Sequence, residues 1–216
     1  MFDEELAAKV RGVGVVAVLV IDEVEDAVPL AEALLAGGVS VMELTLRTPA
    51  AVGALRSIRQ AVPEMVAGAG TVLSEEQVLE VADAGASFAV SPGLNSKVLD
   101  SARREGLSFA PGIMTPTDIE SAVALGCRLL KFFPAGSSGG LAHLKNIAAP
   151  YAHLGLDYIP LGGVNAGNMG EYLDFSGVAA IGGSWIAKRE AIAAKDWAGI
   201  TERAREAVGI ASGVRG

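Results

Sequence analysis

The chain alternates short, almost entirely apolar runs with longer stretches in which apolar residues recur at helical spacing. Eight of the apolar runs are rich in β-branched residues and predict strands. They span residues 14–21, 39–46, 64–71, 87–93, 107–113, 128–134, 157–163 and 177–184. Apolar strands that are each followed by a helix are typical of a parallel sheet buried on both faces.

Six amphipathic stretches between these strands predict helices of about three turns. They cover residues 24–37, 49–62, 74–85, 96–106, 115–126 and 140–155. Residues 2–11 predict an extra N-terminal helix, and residues 196–211 predict the last one. Ser74, and Thr117 with Asp118 behind it, carry helix-start signals. Glycines stand where C-terminal helix caps are expected, at Gly37, Gly85, Gly106 and Gly126.

Eight strand–helix units in 216 residues predict a (β/α)8 TIM barrel, an α/β fold, with the extra N-terminal helix added. A doubly wound open sheet is the alternative. No GxGxxG follows the first strand, and eight regular units favour closure of the sheet. No linker or low-complexity segment interrupts the pattern, so we expect residues 1–216 to form a single domain.

Composition and charge exclude several classes of function. A net charge of -8 argues against a nucleic-acid partner, and no apolar run approaches the ~20 residues of a membrane helix. The acidic, amphipathic N-terminus does not resemble a signal peptide, and a single cysteine, Cys127, fits a reducing cytoplasm as a structural thiol. His143 and His153 stand in no pattern of metal ligands, so we expect no metal.

The second predicted strand ends in charged and hydroxyl residues. Alternation places Glu43, Thr45 and Arg47 on one side of it, above the apolar Val41. Catalytic groups of barrels of this kind lie at the C-terminal ends of the strands. This face is therefore a candidate pocket wall, although a structural ion pair at a strand end would give the same pattern.

Lys131 interrupts the apolar stretch "RLLKFFPAG", residues 128–136. Its ammonium could reach solvent from the strand end while its stem packs on neighbours. Alternatively, burial disfavours the charged form and leaves a neutral amine that can attack a carbonyl. Because Glu43 and Arg47 converge on the same rim, we favour the second interpretation, a lysine that forms a Schiff base.

Two glycine pairs follow the last two predicted strands, in "PLGGVNAGN" and "IGGSW". Glycine lets backbone N–H groups approach a ligand closely, and the corresponding loops of TIM barrels often bind phosphate. With Asn165 and Ser184 behind them, these pairs predict a phosphate site. Ordinary tight turns are the alternative.

The motifs "VMELTLRT", "GAGTVL", "AVSPGL", "LLKFFPA", "PLGGV" and "IGGSW" together resemble the 2-keto-3-deoxy-6-phosphogluconate aldolase family, also described as 2-keto-4-hydroxyglutarate aldolases. The likeness covers nearly the whole chain. It implies a class I lyase that needs no cofactor, uses a lysine imine and releases pyruvate with glyceraldehyde 3-phosphate, or with glyoxylate from 4-hydroxy-2-oxoglutarate. It also implies a cytoplasmic homotrimer of the Entner–Doudoroff pathway.

The resemblance also assigns roles by motif. Lys131 would be the Schiff-base lysine and Glu43 the acid/base, while Arg47 and Thr71 would hold the pyruvate carboxylate. The remaining assignments place Pro92 and Phe133 in the wall of the pyruvate site and Gly162, Gly163, Gly183 and Ser184 at the substrate phosphate.

Leu161 departs from the gluconate-specific pattern, which has "PTGG" where this chain has "PLGG". A threonine hydroxyl there could bind the aldehyde-derived half of the substrate, and leucine cannot. A preference for the 6-phosphogalactonate epimer is therefore an alternative. A phosphosugar isomerase or epimerase that uses Glu43 alone is a second alternative, and a non-catalytic binder of phosphorylated ligands is a third.

Overall fold

The computed structural model describes residues 2–216, in which parallel strands form a closed barrel surrounded by helices. The strands are β1 (Val15–Leu19), β2 (Val41–Thr45), β3 (Val66–Gly70), β4 (Phe88–Val90), β5 (Ser108–Ala110), β6 (Gly112–Ile113), β7 (Leu129–Phe132), β8 (Asp157–Pro160) and β9 (Ile181–Gly183). Each predicted strand contains one of these segments, except that residues 107–113 contain two. The predicted TIM barrel is confirmed.

Hydrogen bonding follows the order β5-β4-β3-β2-β1-β9 in one sheet and β6-β7-β8 in the other. Single parallel bridges between Tyr158 and Val178 and between Leu161 and Gly182 join β8 to the last strand. On the other side, β5 and β6 are one strand interrupted at Pro111. Proline has no N–H to donate to a ladder, but the Pro111 carbonyl accepts from the Lys131 N–H at 2.9 Å. The two sheets therefore close into one eight-stranded barrel.

The helices cover the outside of the barrel. They are α1 (Glu4–Val13), α2 (Ala27–Ala36), α3 (Ala51–Ala61), α4 (Glu75–Asp83), α5 (Ser96–Arg104), α6 (Pro116–Ala124), α7 (Gly140–Ala148), α8 (Met169–Leu173), α9 (Arg189–Ala193) and α10 (Trp197–Arg215). The predicted helices are present, including the extra N-terminal one. The pattern did not predict α8 and α9, because five residues are too few to show a helical period.

The helix ends confirm some of the sequence signals and correct others. Ser74 caps α4 by accepting from the Gln77 N–H, as predicted. The start predicted at Thr117 was wrong, since α6 is capped by Thr115 in a capping box with Asp118 and has Pro116 in its first turn. Three of the four predicted cap glycines follow the cap with a positive φ, namely Gly85, Gly106 and Gly126. Gly37 is the C-cap residue of α2, as predicted, and the left-handed residue there is the following Gly38.

The barrel interior is apolar and closed at its N-terminal end by α1. Val10 is buried there, and Phe2 lies 6.0 Å from Phe88, between ring centroids. A larger apolar layer separates the strands from the outer helices. Because α1 covers one end, the cavity at the C-terminal ends of the strands is where the barrel interior meets solvent.

Cys127 is buried in this outer layer and is not disulfide-bonded. Burial raises the pKa of its thiol to about 11, so the thiol stays protonated near neutral pH. Among residues 2–216, no helix combines the length and the apolar character that crossing a membrane requires.

Close packing between α2 and α10 depends on Gly37. A Cβ there would lie 2.4 Å from the Cβ of Ala204 and 2.6 Å from the carbonyl oxygen of Thr201. We expect Gly37→Ala to lower the free energy of unfolding by about 1–3 kcal/mol, because the two helices must separate. Gly209→Ala is the matched control, since Gly209 lies on exposed α10 surface with no atom within 4 Å of an added Cβ.

Urea unfolding checks both variants. The control should stabilise the protein by about 0.5–1 kcal/mol through helix propensity. Equal stability of the two variants would show that the contact at Gly37 does not constrain the fold.

Candidate active site

A cavity of about 200 Å³ lies at the C-terminal ends of the barrel strands. It brings together nine of the predicted site residues, namely Glu43, Arg47, Thr71, Pro92, Lys131, Phe133, Leu161, Gly162 and Ser184. Val18, Thr45 and Gly182 complete the lining. Residues from seven different strands or the loops after them thus converge on one cavity.

Lys131 and Glu43 form a buried ion pair at the floor of this cavity. The Lys131 Nζ donates to the Glu43 Oε1 at 3.0 Å, and the two residues are 5% and 2% exposed. Both also line a much smaller, mainly apolar void of about 20 Å³ beneath the cavity. Lys131 is therefore not the surface lysine of the alternative interpretation, because its ammonium is held inside the barrel by a carboxylate.

Glycines on neighbouring strands make room for this pair. A Cβ at Gly70, on β3, would lie 1.9 Å from the Glu43 Oε1. Gly112 pairs with Lys131 in the ladder, and a Cβ there would lie 2.0 Å from the Pro92 carbonyl oxygen. Side chains at these two positions would push the carboxylate or the cavity wall out of place.

The Lys131 ammonium also faces an aromatic ring. Its Nζ lies 5.5 Å from the centroid of Phe133, within the range of a cation–π contact. Phe133 follows β7 directly, so the strand that carries the lysine also supplies this wall of the cavity. The neighbouring Phe132 points the other way and is fully buried in the outer layer.

Arg47 and Thr71 lie at the cavity rim, in the loops that follow β2 and β3. The Arg47 side chain is exposed, so its guanidinium can meet a ligand from solvent. Thr71 has a φ of 61°, in the left-handed region that residues with a Cβ seldom adopt. Backbone of this kind costs on the order of 1–3 kcal/mol and often marks a functional site. Nothing in the sequence signals it, because threonine is not a left-handed residue by preference.

Thr45 lines the cavity, as the alternation in β2 predicted, although the sequence assigned it no chemical role. It is buried, and its hydroxyl donates to the Leu19 carbonyl oxygen of β1 at 2.9 Å. The period-two alternation of β2 places Thr45 on the same face as Glu43 and Arg47. This alternation is the sequence feature that predicts its place in the cavity wall. Its hydroxyl oxygen still has acceptor capacity towards the cavity.

The two glycine pairs contribute unequally to the lining. Gly162 and Gly163 both have a φ of 85°, a conformation that disfavours other residues. Gly162 lines the cavity with Ser184, whereas Gly163 does not line it and lies close to Gly136. In the second pair, Gly182 lines the cavity and Gly183 does not. Gly183 is covered by the Trp185 ring, only 1.9 Å from where its Cβ would stand.

Leu161 is buried beside Gly182, and its branched end would lie 2.3 Å from a Cβ at that glycine. The side chain reaches both the main cavity and the small void beneath it. The residue at this position thus presents an apolar surface to whatever occupies the cavity. No hydroxyl is available from it.

Within residues 2–216, no group of three or more His, Cys, Asp or Glu side chains is arranged to hold a metal ion. His143 lies 6.0 Å from Phe132, between ring centroids, with its Nε2 2.9 Å from the Met114 carbonyl oxygen. His153 is exposed at the turn after α7.

A second cavity, of about 340 Å³, lies at the opposite end of β8. It is lined by Tyr151, Tyr158 and Phe175 among others, and by none of the predicted site residues. Size alone does not identify a reactive site. The smaller cavity is the candidate active site, because there a buried amine, a carboxylate and a guanidinium converge.

Comparisons with known proteins agree with this geometry. Residues 6–203 match the family model described as "KDPG and KHG aldolase". The 2-dehydro-3-deoxy-phosphogluconate aldolase of Pseudoalteromonas atlantica is 44% identical, over 93% of this chain and 92% of its own length. The KHG/KDPG aldolase of Escherichia coli K12 is 45% identical over 90% of each chain.

A solved structure of KDPG aldolase from Legionella pneumophila, with pyruvate captured as a covalent carbinolamine intermediate, has a TM-score of 0.88 to this chain. The two are 40% identical, and the match covers 93% of this chain and 97% of the other. The family resemblance seen in the sequence motifs is confirmed. This chain belongs to the KDPG and KHG aldolase family.

Proposed function

We propose that this protein is a class I aldolase that cleaves 2-dehydro-3-deoxy-6-phosphogluconate to pyruvate and glyceraldehyde 3-phosphate. The observation that carries the proposal is the buried contact of 3.0 Å between Lys131 and Glu43 at the cavity floor. It places a nucleophilic amine beside a proton acceptor, as formation of an imine requires. The same chemistry cleaves 4-hydroxy-2-oxoglutarate to pyruvate and glyoxylate.

Lys131 forms and breaks the covalent bonds to the substrate. Its ammonium gives a proton to Glu43, and the free amine attacks the C2 ketone to form a carbinolamine, which loses water to give a protonated imine. The C3–C4 bond then breaks, and its electron pair moves through C3 to the imine nitrogen. Glyceraldehyde 3-phosphate leaves, and an enamine of pyruvate stays on the lysine.

Glu43 moves the protons of this sequence. As the carboxylic acid it protonates the departing C2 hydroxyl, and as the carboxylate it takes the proton of the C4 hydroxyl when the C3–C4 bond breaks. It returns that proton to C3 of the enamine. Hydrolysis of the resulting imine releases pyruvate and restores the Lys131–Glu43 pair.

We assign the α-carboxylate of the 2-keto acid to Arg47 and Thr71, which both line the cavity. A guanidinium can make a bidentate, charge-assisted contact with a carboxylate and so fix the C2 carbon against Lys131. Pro92 and Phe133 also line this cavity. This half of the cavity is the same for every substrate that releases pyruvate.

The distal phosphate is assigned to the glycine-rich side, by the Ser184 hydroxyl and the backbone of Gly162, Gly163 and Gly183. The exposure of Gly162 and Ser184 at the cavity supports their part directly. Gly163 and Gly183 do not line the cavity, so we assign them a part through the loop conformation or through backbone N–H groups. The family resemblance further supports one domain over residues 1–216, a homotrimer and a cytoplasmic location.

The galactonate epimer is a second candidate substrate because Leu161 offers no hydroxyl to the aldehyde-derived half. The two epimers differ in the configuration at C4, whose hydroxyl must reach Glu43. Leu161 cannot form a hydrogen bond to the C4 hydroxyl. We therefore expect it to discriminate less between the epimers than a residue with a hydroxyl would. The gluconate and galactonate substrates are therefore to be compared directly.

Lys131→Met should abolish turnover of 2-dehydro-3-deoxy-6-phosphogluconate, by about 10³-fold or more, since no imine can form. Pyruvate release, followed with lactate dehydrogenase, measures this. Lys145→Met is the control, because Lys145 is exposed at the other cavity, and it should keep wild-type turnover. Full pyruvate release by Lys131→Met would contradict an imine on Lys131, whereas no pyruvate release from the wild-type protein would favour an isomerase or epimerase that works through Glu43 alone.

Arg47→Ala should raise KM for the 2-keto acid by about 10- to 100-fold, because a charge-assisted contact to the carboxylate is lost. The imine should still form at high substrate concentration. Arg56→Ala, which removes an exposed arginine paired with Asp83 on the outer surface, should leave KM unchanged. An unchanged KM in Arg47→Ala would show that the carboxylate is bound elsewhere.

Leu161→Thr should shift the ratio of kcat/KM towards the gluconate epimer by about tenfold, since one well-placed hydrogen bond is worth that much. Competition between the two epimers in one reaction measures the ratio. Leu161→Val is the control that shortens the side chain without adding a hydroxyl. An equal shift in both variants would attribute the effect to cavity size.

A further inference from the structure

Residues 45–48, the turn that carries Arg47, are hydrogen-bonded to the end of β1 through two threonine hydroxyls. The Thr45 hydroxyl donates to the Leu19 carbonyl oxygen at 2.9 Å, and the Thr48 hydroxyl donates to the Ile21 carbonyl oxygen. Leu19 ends β1, and its Cα pairs with that of Leu44 in the parallel ladder. The hydroxyls therefore continue the contact between these strands beyond the point where regular backbone pairing stops.

Backbone contacts hold the same segment on its other side. The Leu46 N–H donates to the Gly70 carbonyl oxygen at 2.8 Å, and the Arg47 N–H donates to the Thr45 carbonyl oxygen at 2.7 Å. Arg47 thus lies in a tight turn between β1 and β3. The threonine hydroxyl bonds described above, from Thr45 and Thr48, flank it on both sides.

The Arg47 side chain itself has no such restraint. Within residues 2–216 its guanidinium makes no ion pair, and the residue is exposed. A long side chain with no partner is aimed chiefly by the backbone that carries it. The position of that backbone then decides how well a bound carboxylate meets the guanidinium, and errors near 1 Å are costly.

We propose that Thr48 is a positioning residue for the reaction, which acts through Arg47. Its hydroxyl donates to the Ile21 carbonyl oxygen and so fixes the backbone that follows Arg47. This backbone in turn orients the Arg47 guanidinium towards the α-carboxylate of the 2-keto acid. Thr48 does not line the cavity, whereas Thr45 does. A substitution at Thr48 therefore tests the positioning of Arg47 without removing a side chain that lines the cavity. This inference rests on the proposed function.

Thr48→Val tests the inference, because it keeps the branched shape and removes the hydroxyl. The measurement is the pyruvate concentration that gives half-maximal borohydride trapping on the enzyme. We expect this concentration to rise about five- to tenfold, as for a partly lost charge-assisted contact. The trapping rate at saturating pyruvate should change by less than about twofold, since Lys131 and Glu43 are untouched.

Two further variants separate positioning from general stability. Thr48→Ser keeps the hydroxyl and should restore wild-type half-saturation. Thr201→Val removes a comparable hydroxyl bond, from Thr201 to the Ala33 carbonyl oxygen at 2.9 Å, far from the cavity. It should leave trapping unchanged, provided that all proteins are assayed well below their melting temperatures.

The pair Thr48→Val and Arg47→Ala gives the decisive comparison. If Thr48 acts only through Arg47, adding Thr48→Val to Arg47→Ala should not weaken pyruvate binding further. Additive effects of the two changes, or wild-type half-saturation in Thr48→Val alone, would overturn the positioning role. Absence of trapping in the wild-type protein would instead refute the proposed function, and the inference with it.

Discussion

The buried contact between Lys131 and Glu43 is the constraint around which the barrel is organised. Neither charge is stable alone in this interior, and removal of one partner of a buried pair typically costs about 3–5 kcal/mol. The two residues are 88 positions apart and come from β7 and β2. Only a closed barrel brings the inner faces of these strands together.

The surroundings of the pair follow from this requirement. Gly70 and Gly112 leave space where the carboxylate and the lysine strand need it, and apolar residues fill the barrel below. The helix α1 covers the N-terminal end, and the pair faces solvent at the mouth of the cavity. An amine and a carboxylate in contact at the floor of such a cavity can exchange a proton with each other and with a bound substrate.

Much of this architecture could be predicted from the sequence, because it depends on periodic patterns. The apolar runs located every strand, and the alternation in β2 placed Glu43, Thr45 and Arg47 on one face. Features that depend on tertiary geometry could not be predicted. Pro111 splits one strand, Thr115 rather than Thr117 caps α6, and α8 and α9 are too short to show a period.

The same distinction holds within the site. Lys131 and Glu43 were identifiable as charges inside apolar strands, but no pattern shows that their atoms meet at 3.0 Å. The left-handed backbone of Thr71 is imposed by its surroundings and has no signal in the residue type. Which glycine of the pair Gly182–Gly183 faces the cavity depends on how the last strand meets Leu161 and Trp185.

Intact mass, with peptide mapping, after incubation with pyruvate and borohydride tests the central claim most directly. Reduction converts an imine to a stable secondary amine, so the modified lysine is identified by its peptide. The account predicts one reduced pyruvyl group per chain, on Lys131. A protein that gains no pyruvyl group, or gains it on an exposed lysine, would contradict the assignment of the buried pair as the reacting centre.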